Sequence, residues 1–380
     1  MHGGTLRVKG ASLIDRLLDL SERVGRDPLL VQAGTGNISL KLKGVLWIKA
    51  SGKWLSRAKL EQLLVPIDLR EARQHVERNQ YIAAAYENRY HGELRPSIET
   101  AMHAVLPHRV VVHVHSVNTI AWAVRQDAPA QLATKLAGLD WQWIPFISSG
   151  VPLALEIQKR LSRQTQPAVF VLGNHGLVIA AECCEAAEEL LFEVERRLAL
   201  SPRPPQQSDC IPDARIAADP YWRLPETADL HVLGSDPISR RVLSQGILYP
   251  CQAIFLGSGP PPTCGSGSLS CAPRRHRGRF AIPASFLIVD HCGVLVRANL
   301  TRAESEVLAG LMQVVQRVDP SAPIRYLTHS EVLNVLNDKM GRYRAVVERY
   351  GSRTTEGRSL IARAGSALSA EAEERLIVTP

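Results

Sequence analysis

Residues 12–26 carry the first helical periodicity, with Leu13, Leu17, Leu18 and Leu20 on a common stripe. A glycine-rich turn follows, Gly34-Thr35-Gly36-Asn37. Then come two short runs, residues 38–42 and 45–49, separated by Gly44. That arrangement predicts a β-hairpin. Ala50-Ser51-Gly52 breaks its second strand. Pro96-Ser97 opens a predicted helix over residues 98–106, with Ser97 as N-cap and Pro107 as the stop. Residues 109–115 are a β-branched run and predict a buried strand. A helix is expected over 150–162. Strands at 168–172 and 177–181 should flank Gly173-Asn174-His175-Gly176, and a helix should follow over 185–199.

Residues 201–213 are rich in Pro, Gln and Ser and read as a linker between two domains, 10–200 and 214–350. The second part predicts strands at 253–256, 286–290 and 294–297. Capping boxes at Thr301-Arg302-Ala303-Glu304 and Thr328-His329-Ser330-Glu331 open helices running to about residue 318 and toward residue 350. Residues 257–280, dominated by Gly, Ser, Pro and Arg, are expected to form a mobile loop, and residues 351–380 a tail.

Composition excludes some functions. At 45% hydrophobic and 22% charged, the chain is ordinary for a globular protein. No apolar run reaches membrane-spanning length, and the N-terminus has no secretory pattern, so a cytoplasmic protein without a membrane partner is expected. Seven cysteines without C-x-x-C suggest reduced thiols. The net charge of +8 is partly local, in Arg274, Arg275, Arg277 and Arg279. No nucleic-acid motif accompanies it, so no nucleic-acid partner is expected. No G-x-G-x-x-G follows a strand, which argues against a dinucleotide site.

The candidate chemistry begins at His113-Val114-His115. Alternation along a strand puts both imidazoles on one face, where they can converge on one ion. His175 sits in a glycine-flanked turn that allows close approach to another element. Glu99 falls at the start of a predicted helix, where an acid commonly meets the helix dipole. Three imidazoles and a carboxylate suit zinc. Manganese, cobalt or iron fit the same donors. His103, four residues after Glu99, could orient it from one helical turn away.

Five segments in order then carry a resemblance: Gly34-Thr35-Gly36-Asn37-Ile38-Ser39, Ala50-Ser51-Gly52, Pro96-Ser97-Ile98-Glu99, His113-Val114-His115 and Leu172-Gly173-Asn174-His175-Gly176. Over residues 10–200 the chain resembles the class II aldolase/adducin family. The resemblance implies a three-layer α/β/α domain around a mostly antiparallel sheet, plus a smaller C-terminal α/β domain. It implies one divalent metal ion per chain, zinc first, on Glu99, His113, His115 and His175. It implies a lyase of the carbon–carbon type acting on a sugar or sugar phosphate through a metal-stabilised enediolate, with Glu99 transferring the proton. Gly36, Asn37, Ser51, Gly52 and Ser97 correspond to the family's phosphate cradle, and a helix N-terminus at Ser97 would add positive potential. A homo-oligomer is expected, because relatives build sites between subunits.

Two departures qualify this. Ile98 stands where phosphate-binding relatives often have a second serine. Trp141-Gln142-Trp143-Ile144-Pro145 lacks the tyrosine acid of the aldolases. A dehydratase, epimerase or decarboxylase on the same metal is the alternative enzyme, and an adducin-like interaction protein the non-catalytic one. The second half resembles the C-terminal extension of longer relatives, some fused to dehydrogenases. Its segments Gly246-Ile247-Leu248-Tyr249-Pro250 and Tyr326-Leu327-Thr328 have no chemistry assigned from sequence.

Overall fold

The computed structural model describes residues 12–80, 82, 94–162, 164–204, 212, 221–265 and 282–337. Helix α1 (Leu13–Arg26) starts at a reciprocal cap. Ser12 Oγ accepts from Asp15 N at 3.1 Å, and Asp15 Oδ2 accepts from Ser12 N at 3.0 Å. The hairpin follows as β1 (Asn37–Leu42) and β2 (Val45–Lys49), and then β3 (Leu64–Asp68) and α2 (Leu69–Glu77). After these come α3 (Thr100–Val105), β4 (Val110–Val114), α4 (Val117–Ala123), α5 (Ala128–Lys135) and β5 (Trp141–Ile144). Helix α6 (Val151–Arg160), strands β6 (Val169–Leu172) and β7 (Gly176–Ala181), and helix α7 (Cys184–Leu198) complete this part.

The seven strands form one sheet in the order β3-β2-β1-β4-β7-β6-β5, antiparallel except for β5 beside β6. Alternation along the strands feeds two cores. Ile38, Leu40, Val112, Val114 and Ile179 join Leu17 and Leu20 of α1 and Leu191 of α7. Val111, Phe170 and Val178 point the other way, onto Met102, Leu153 and Ile157, while Leu46, Ile48 and Ile67 meet Ala72 and Ala101. Helices therefore cover both faces, and the domain is the three-layer arrangement that the resemblance implies.

The second part contains β8 (Trp222–Arg223), α8 (Val232–Ser235), α9 (Pro237–Ser244), β9 (Thr263–Cys264), β10 (Phe286–Val289), β11 (Gly293–Arg297), α10 (Arg302–Arg317) and α11 (His329–Asn337). Its smaller sheet runs β8-β11-β10-β9. Ala33, Val117, Ile120 and Val124 share one apolar cluster with Leu243, Phe255, Leu308 and Leu311, so the two parts pack through common core.

Several expectations need correction. Residues 253–256 are not a strand. Gln252–Leu256 is a π-helical turn, buried throughout. A four-residue apolar run cannot by itself distinguish a buried strand from a buried helical turn. The helix expected from residue 98 is only Thr100–Val105, with Glu99 at its N-cap. Part of the expected mobile loop forms β9, hydrogen-bonded beside β10. Cys264 and Cys292 are disulfide-bonded, against the expectation of reduced thiols throughout. At the expected linker, Arg203 is anchored by Asp236 Oδ2 at 2.8 Å and the carbonyls of Val315 and Val318. The Arg274–Arg279 cluster, the rest of the helix toward residue 350 and the tail lie outside the described residues. Among the described residues no helix is long and apolar enough to cross a membrane.

Candidate metal centre

Strand β4 delivers the first donors. Val111 and His113 share a face, and His115 follows just past the strand end, before Ser116 caps α4 by accepting from Thr119 N at 3.0 Å. The two imidazoles meet, with His113 Nε2 3.2 Å from His115 Nε2. His113 Nδ1 donates to the carbonyl of Leu177 on β7 at 3.0 Å. A carbonyl can only accept, so Nε2 of His113 carries the lone pair toward the cluster.

His175 arrives from the turn between β6 and β7. Its ring centroid is 4.9 Å from that of His113 and 5.1 Å from that of His115. One ring nitrogen from each of the three histidines lies within 4.8 Å of the other two, and all three residues are buried. The backbone of β1 comes close on the other side. Gly36 has φ +63°, and a Cβ there would sit 2.7 Å from the carbonyl oxygen of His113, so a side chain would push β1 off the donor strand.

Glu99 completes the group. Its Oε1 is 3.3 Å from His175 Nε2 and its Oε2 is 3.5 Å from His113 Nε2. Asn37 Nδ2 donates to Oε2 at 2.6 Å and Ser149 Oγ donates to Oε1 at 3.3 Å. Ser97 Oγ accepts from Glu99 N at 3.2 Å and from Asn37 Nδ2 at 3.3 Å. The local bond from Glu99 N to Ser97 Oγ holds residues 97–99 as a turn ahead of α3. The short helix therefore does not begin at Ser97, as the sequence suggested.

The His103 backbone N–H donates to the carbonyl of Glu99 at 3.2 Å, while its ring reaches the Glu99 carboxylate through Asn37. Its Nε2 meets Asn37 Oδ1 and its Nδ1 lies 2.7 Å from Ser39 Oγ. Full burial, the largest cause, with the charge of Lys41 adding to it, holds its pKa well below the usual histidine value. A neutral ring has one donor, and Asn37 Oδ1 can only accept. His103 Nε2–H thus donates to Asn37, and Nδ1 accepts from Ser39. This fixes the Asn37 amide with its nitrogen toward Glu99.

The donor set fits a small divalent ion. Tetrahedral zinc with bonds of about 2.1 Å has donor–donor edges of about 3.4 Å. The His113–His115 separation of 3.2 Å and the contacts of the two Glu99 oxygens, 3.3 Å to His175 and 3.5 Å to His113, lie near that edge, and the three histidine donors fall within 4.8 Å of one another.

Above the donors lies a cavity of about 320 Å³. Gly36, Asn37, Ser51, Gly52, Ser97, Glu99, His115 and His175 all line it, and His113 sits behind His115. Every site residue expected from the sequence is thus brought to one place. Three groups were missed. Lys49, buried at the end of β2, lines the cavity and donates to the carbonyl of Gly34 at 2.9 Å. Ser149 reaches Glu99. Cys251, from the second part of the chain, lines the cavity with its Sγ 3.3 Å from His115 Nδ1. Lys49 is the last residue of a predicted strand beside the Ser-Gly turn, a signal that could have found it. No local pattern marks Cys251.

Comparison with known proteins agrees with the motif order. Residues 15–201 match the model of the Class II Aldolase and Adducin N-terminal domain. An uncharacterized oxidoreductase of Bacillus subtilis (strain 168), YuxG, is 27% identical over 197 residues, which are 48% of this chain and 28% of that relative. The match therefore spans little more than a quarter of that relative's length. Among solved structures, the N-terminal class II aldolase domain of a conserved protein from Thermoplasma acidophilum is 25% identical. It covers 52% of this chain and 97% of its own, with a TM-score of 0.45. The L-fuculose-1-phosphate aldolase of Thermus thermophilus is 20% identical over 48% of this chain and 92% of its own, with a TM-score of 0.34. On the family match, residues 15–201 of this chain belong to the class II aldolase and adducin N-terminal domain family.

Proposed function

We propose that this protein is a metal-dependent lyase of the class II aldolase type, which makes or breaks a carbon–carbon bond in a sugar or sugar phosphate. His113, His115, His175 and Glu99 hold one divalent ion, zinc first, with manganese, cobalt or iron as alternatives. The observation that carries this reading is the convergence of three buried imidazoles, one ring nitrogen of each within 4.8 Å of the others, with the Glu99 oxygens 3.3 and 3.5 Å from two of them, under an accessible cavity. A divalent cation there supplies Lewis acidity to a carbonyl and a neighbouring hydroxyl of the substrate.

The chain's own groups divide the remaining work. Glu99 takes a proton from the substrate or returns it, close to the reacting carbon. Asn37 and Ser149 each hold one of its oxygens and keep it aimed. The neutral His103 holds Asn37 in turn. Lys49, Ser51, Ser97 and the backbone at Gly36 and Gly52 surround the polar or anionic end of the substrate. Ile98, Phe146 and Ile254 supply apolar wall that excludes water. A homo-oligomer remains part of this reading, and light scattering at micromolar concentration that finds only monomer would count against it.

The test is metal analysis followed by a substrate panel. Untagged protein should carry about one zinc, manganese, cobalt or iron per chain by mass spectrometry, and His113→Ala/His115→Ala should carry none. Loaded protein should then release an aldehyde from at least one ketose or ketose phosphate. Absence of metal after incubation with all four ions would overturn the catalytic reading. Loss of water or CO₂ without aldehyde would move it to another reaction on the same centre.

A further inference from the structure

We infer that the C-terminal part of the chain positions two of the three histidines: His115 through Cys251, and His175 through Arg325 and Asn174. This rests on reading the cluster as a metal centre and goes beyond its donors.

Imidazoles that hold a metal generally fix their second ring nitrogen by a hydrogen bond, which sets tautomer and ring orientation. For His113 that partner lies within the same domain, the carbonyl of Leu177. For His115 it is Cys251 Sγ, 136 residues later in the chain. Because His115 Nε2 faces His113 Nε2, the sulfur stands on the side of the ring away from the donor cluster. Cys251 therefore supports the ring from outside and is not a further donor. The segment bearing it is itself braced. Gln252 Oε1 accepts from Leu248 N at 2.8 Å and Gln252 N donates to the carbonyl of Tyr249 at 3.1 Å.

His175 is gripped through the residue before it. Asn174 is fully buried with φ 51°. Its Nδ2 donates to the carbonyls of Leu248 and Arg325, both at 2.8 Å, and its Oδ1 accepts from Arg325 Nη1 at 2.9 Å. All three bonds come from the C-terminal part. The Arg325 guanidinium is held in turn by Glu331 Oε1 at 2.6 Å and lies over the ring of Phe146, 5.3 Å from its centroid. Leu248 connects the two grips: it bonds Asn174 by its carbonyl and Gln252 by its N–H, three residues before Cys251. The segments around residues 246–250 and 326–328, which had no chemistry by sequence, are the two that flank these contacts.

A positioning role predicts an effect on the metal that simple packing would not produce. The experiment uses the full chain and measures zinc affinity by chelator competition, the visible spectrum of the cobalt-loaded form, and thermal unfolding of the metal-free form. Cys251→Ala and Arg325→Gln should each bind zinc about 10–100-fold more weakly, the usual loss for such outer partners. Their cobalt spectra should shift. Cys251→Ser keeps a hydrogen-bonding atom at His115 Nδ1 and should stay within about threefold of the parent. The inference is overturned if Cys251→Ala and Arg325→Gln bind zinc as the parent does with unchanged cobalt spectra. It is also overturned if Cys251→Ser loses as much as Cys251→Ala, since volume and not the hydrogen bond would then matter. Should Cys251→Ala fail to fold, the half-exposed Arg325→Gln carries the same decision. A parent that binds neither zinc nor cobalt would instead remove the metal reading itself, and this inference with it.

Discussion

Asn37 Nδ2 donates to Glu99 Oε2 at 2.6 Å, while the other end of the same amide takes a hydrogen bond from His103 Nε2. The amide can be flipped only by breaking both contacts. Asn37 lies on β1, paired with His113 on β4. The strand pairing that places one donor thus also places the group that aims another. Asn37→Ala should leave the Glu99 carboxylate with one fewer donor and His103 with an unmet one. We expect zinc affinity to fall about tenfold, in line with the loss of other outer partners. Chelator competition measures this, and unchanged affinity would show that Glu99 needs no help from Asn37.

The structure places a second test far from the cavity. Gly234 on α8 packs against the backbone of Gly293, where a Cβ would lie 1.7 Å from a carbonyl oxygen. The obstacle is backbone and cannot swing aside. Gly234→Ala should destabilise by about 3 kcal/mol or more, as overpacking against rigid neighbours does. Gly265→Ala is the control, because a Cβ there meets nothing within 4 Å. Urea unfolding of the two variants against the parent decides it. Equal midpoints would mean that the contact relaxes.

How much of this was legible in the sequence depends on distance along the chain. His113 and His115 could be paired by strand alternation alone, and the glycine turns at Gly36 and His175 marked where backbone comes close. Three-layer packing was implied by the family resemblance, and the individual elements α1, β4 and α7 by their own periods. The site's outer supports were not legible. Cys251 meets His115 across 136 residues and Arg325 meets Asn174 across 151, and no periodicity encodes such pairings. Glu99 was expected inside a helix, yet its N–H is captured by Ser97 Oγ, a local bond that competes with the helical ladder. The buried turn Gln252–Leu256 looked like a strand because an apolar run has no face to reveal its period.

Lys41 makes a prediction about pH. It is buried on β1, and its Nζ donates to the carbonyl of His108 at 2.7 Å. Burial, chiefly, and the charge of Arg73 lower its pKa from 10.5 to about 7. In the folded state the group loses its proton near pH 7, whereas the unfolded chain keeps it up to about 10.5. Over that window the unfolded state binds more protons, so this group's contribution to stability rises with pH. Below about pH 7 both states are protonated and the full penalty of the buried charge remains. Lys41→Met should therefore be more stable than the parent at about pH 6, with the gain shrinking steadily toward about pH 10. Denaturant unfolding across that range measures the difference, which cancels groups common to both proteins. A constant or growing gain would refute the assignment.

The last prediction concerns the ion pair under β11. Arg297 Nη2 donates to Glu304 Oε1 at 2.6 Å, and both side chains are almost fully buried. Glu304 also caps α10 through Thr301 N at 2.9 Å and Thr301 Oγ1 at 3.0 Å, so one carboxylate serves both the pair and the helix start. Removing its charge leaves the Arg297 guanidinium buried without compensation, and the desolvation already spent on it is not returned. Glu304→Gln should cost about 3–5 kcal/mol, the range for breaking a buried pair from one side. Arg297→Met/Glu304→Gln should recover part of that loss, because the stranded charge is gone while the introduced amide can still cap the helix. Urea unfolding of the single and double variants separates the terms. If the double variant is no more stable than the single, the cost lies in the cap and its packing rather than in the unpaired guanidinium.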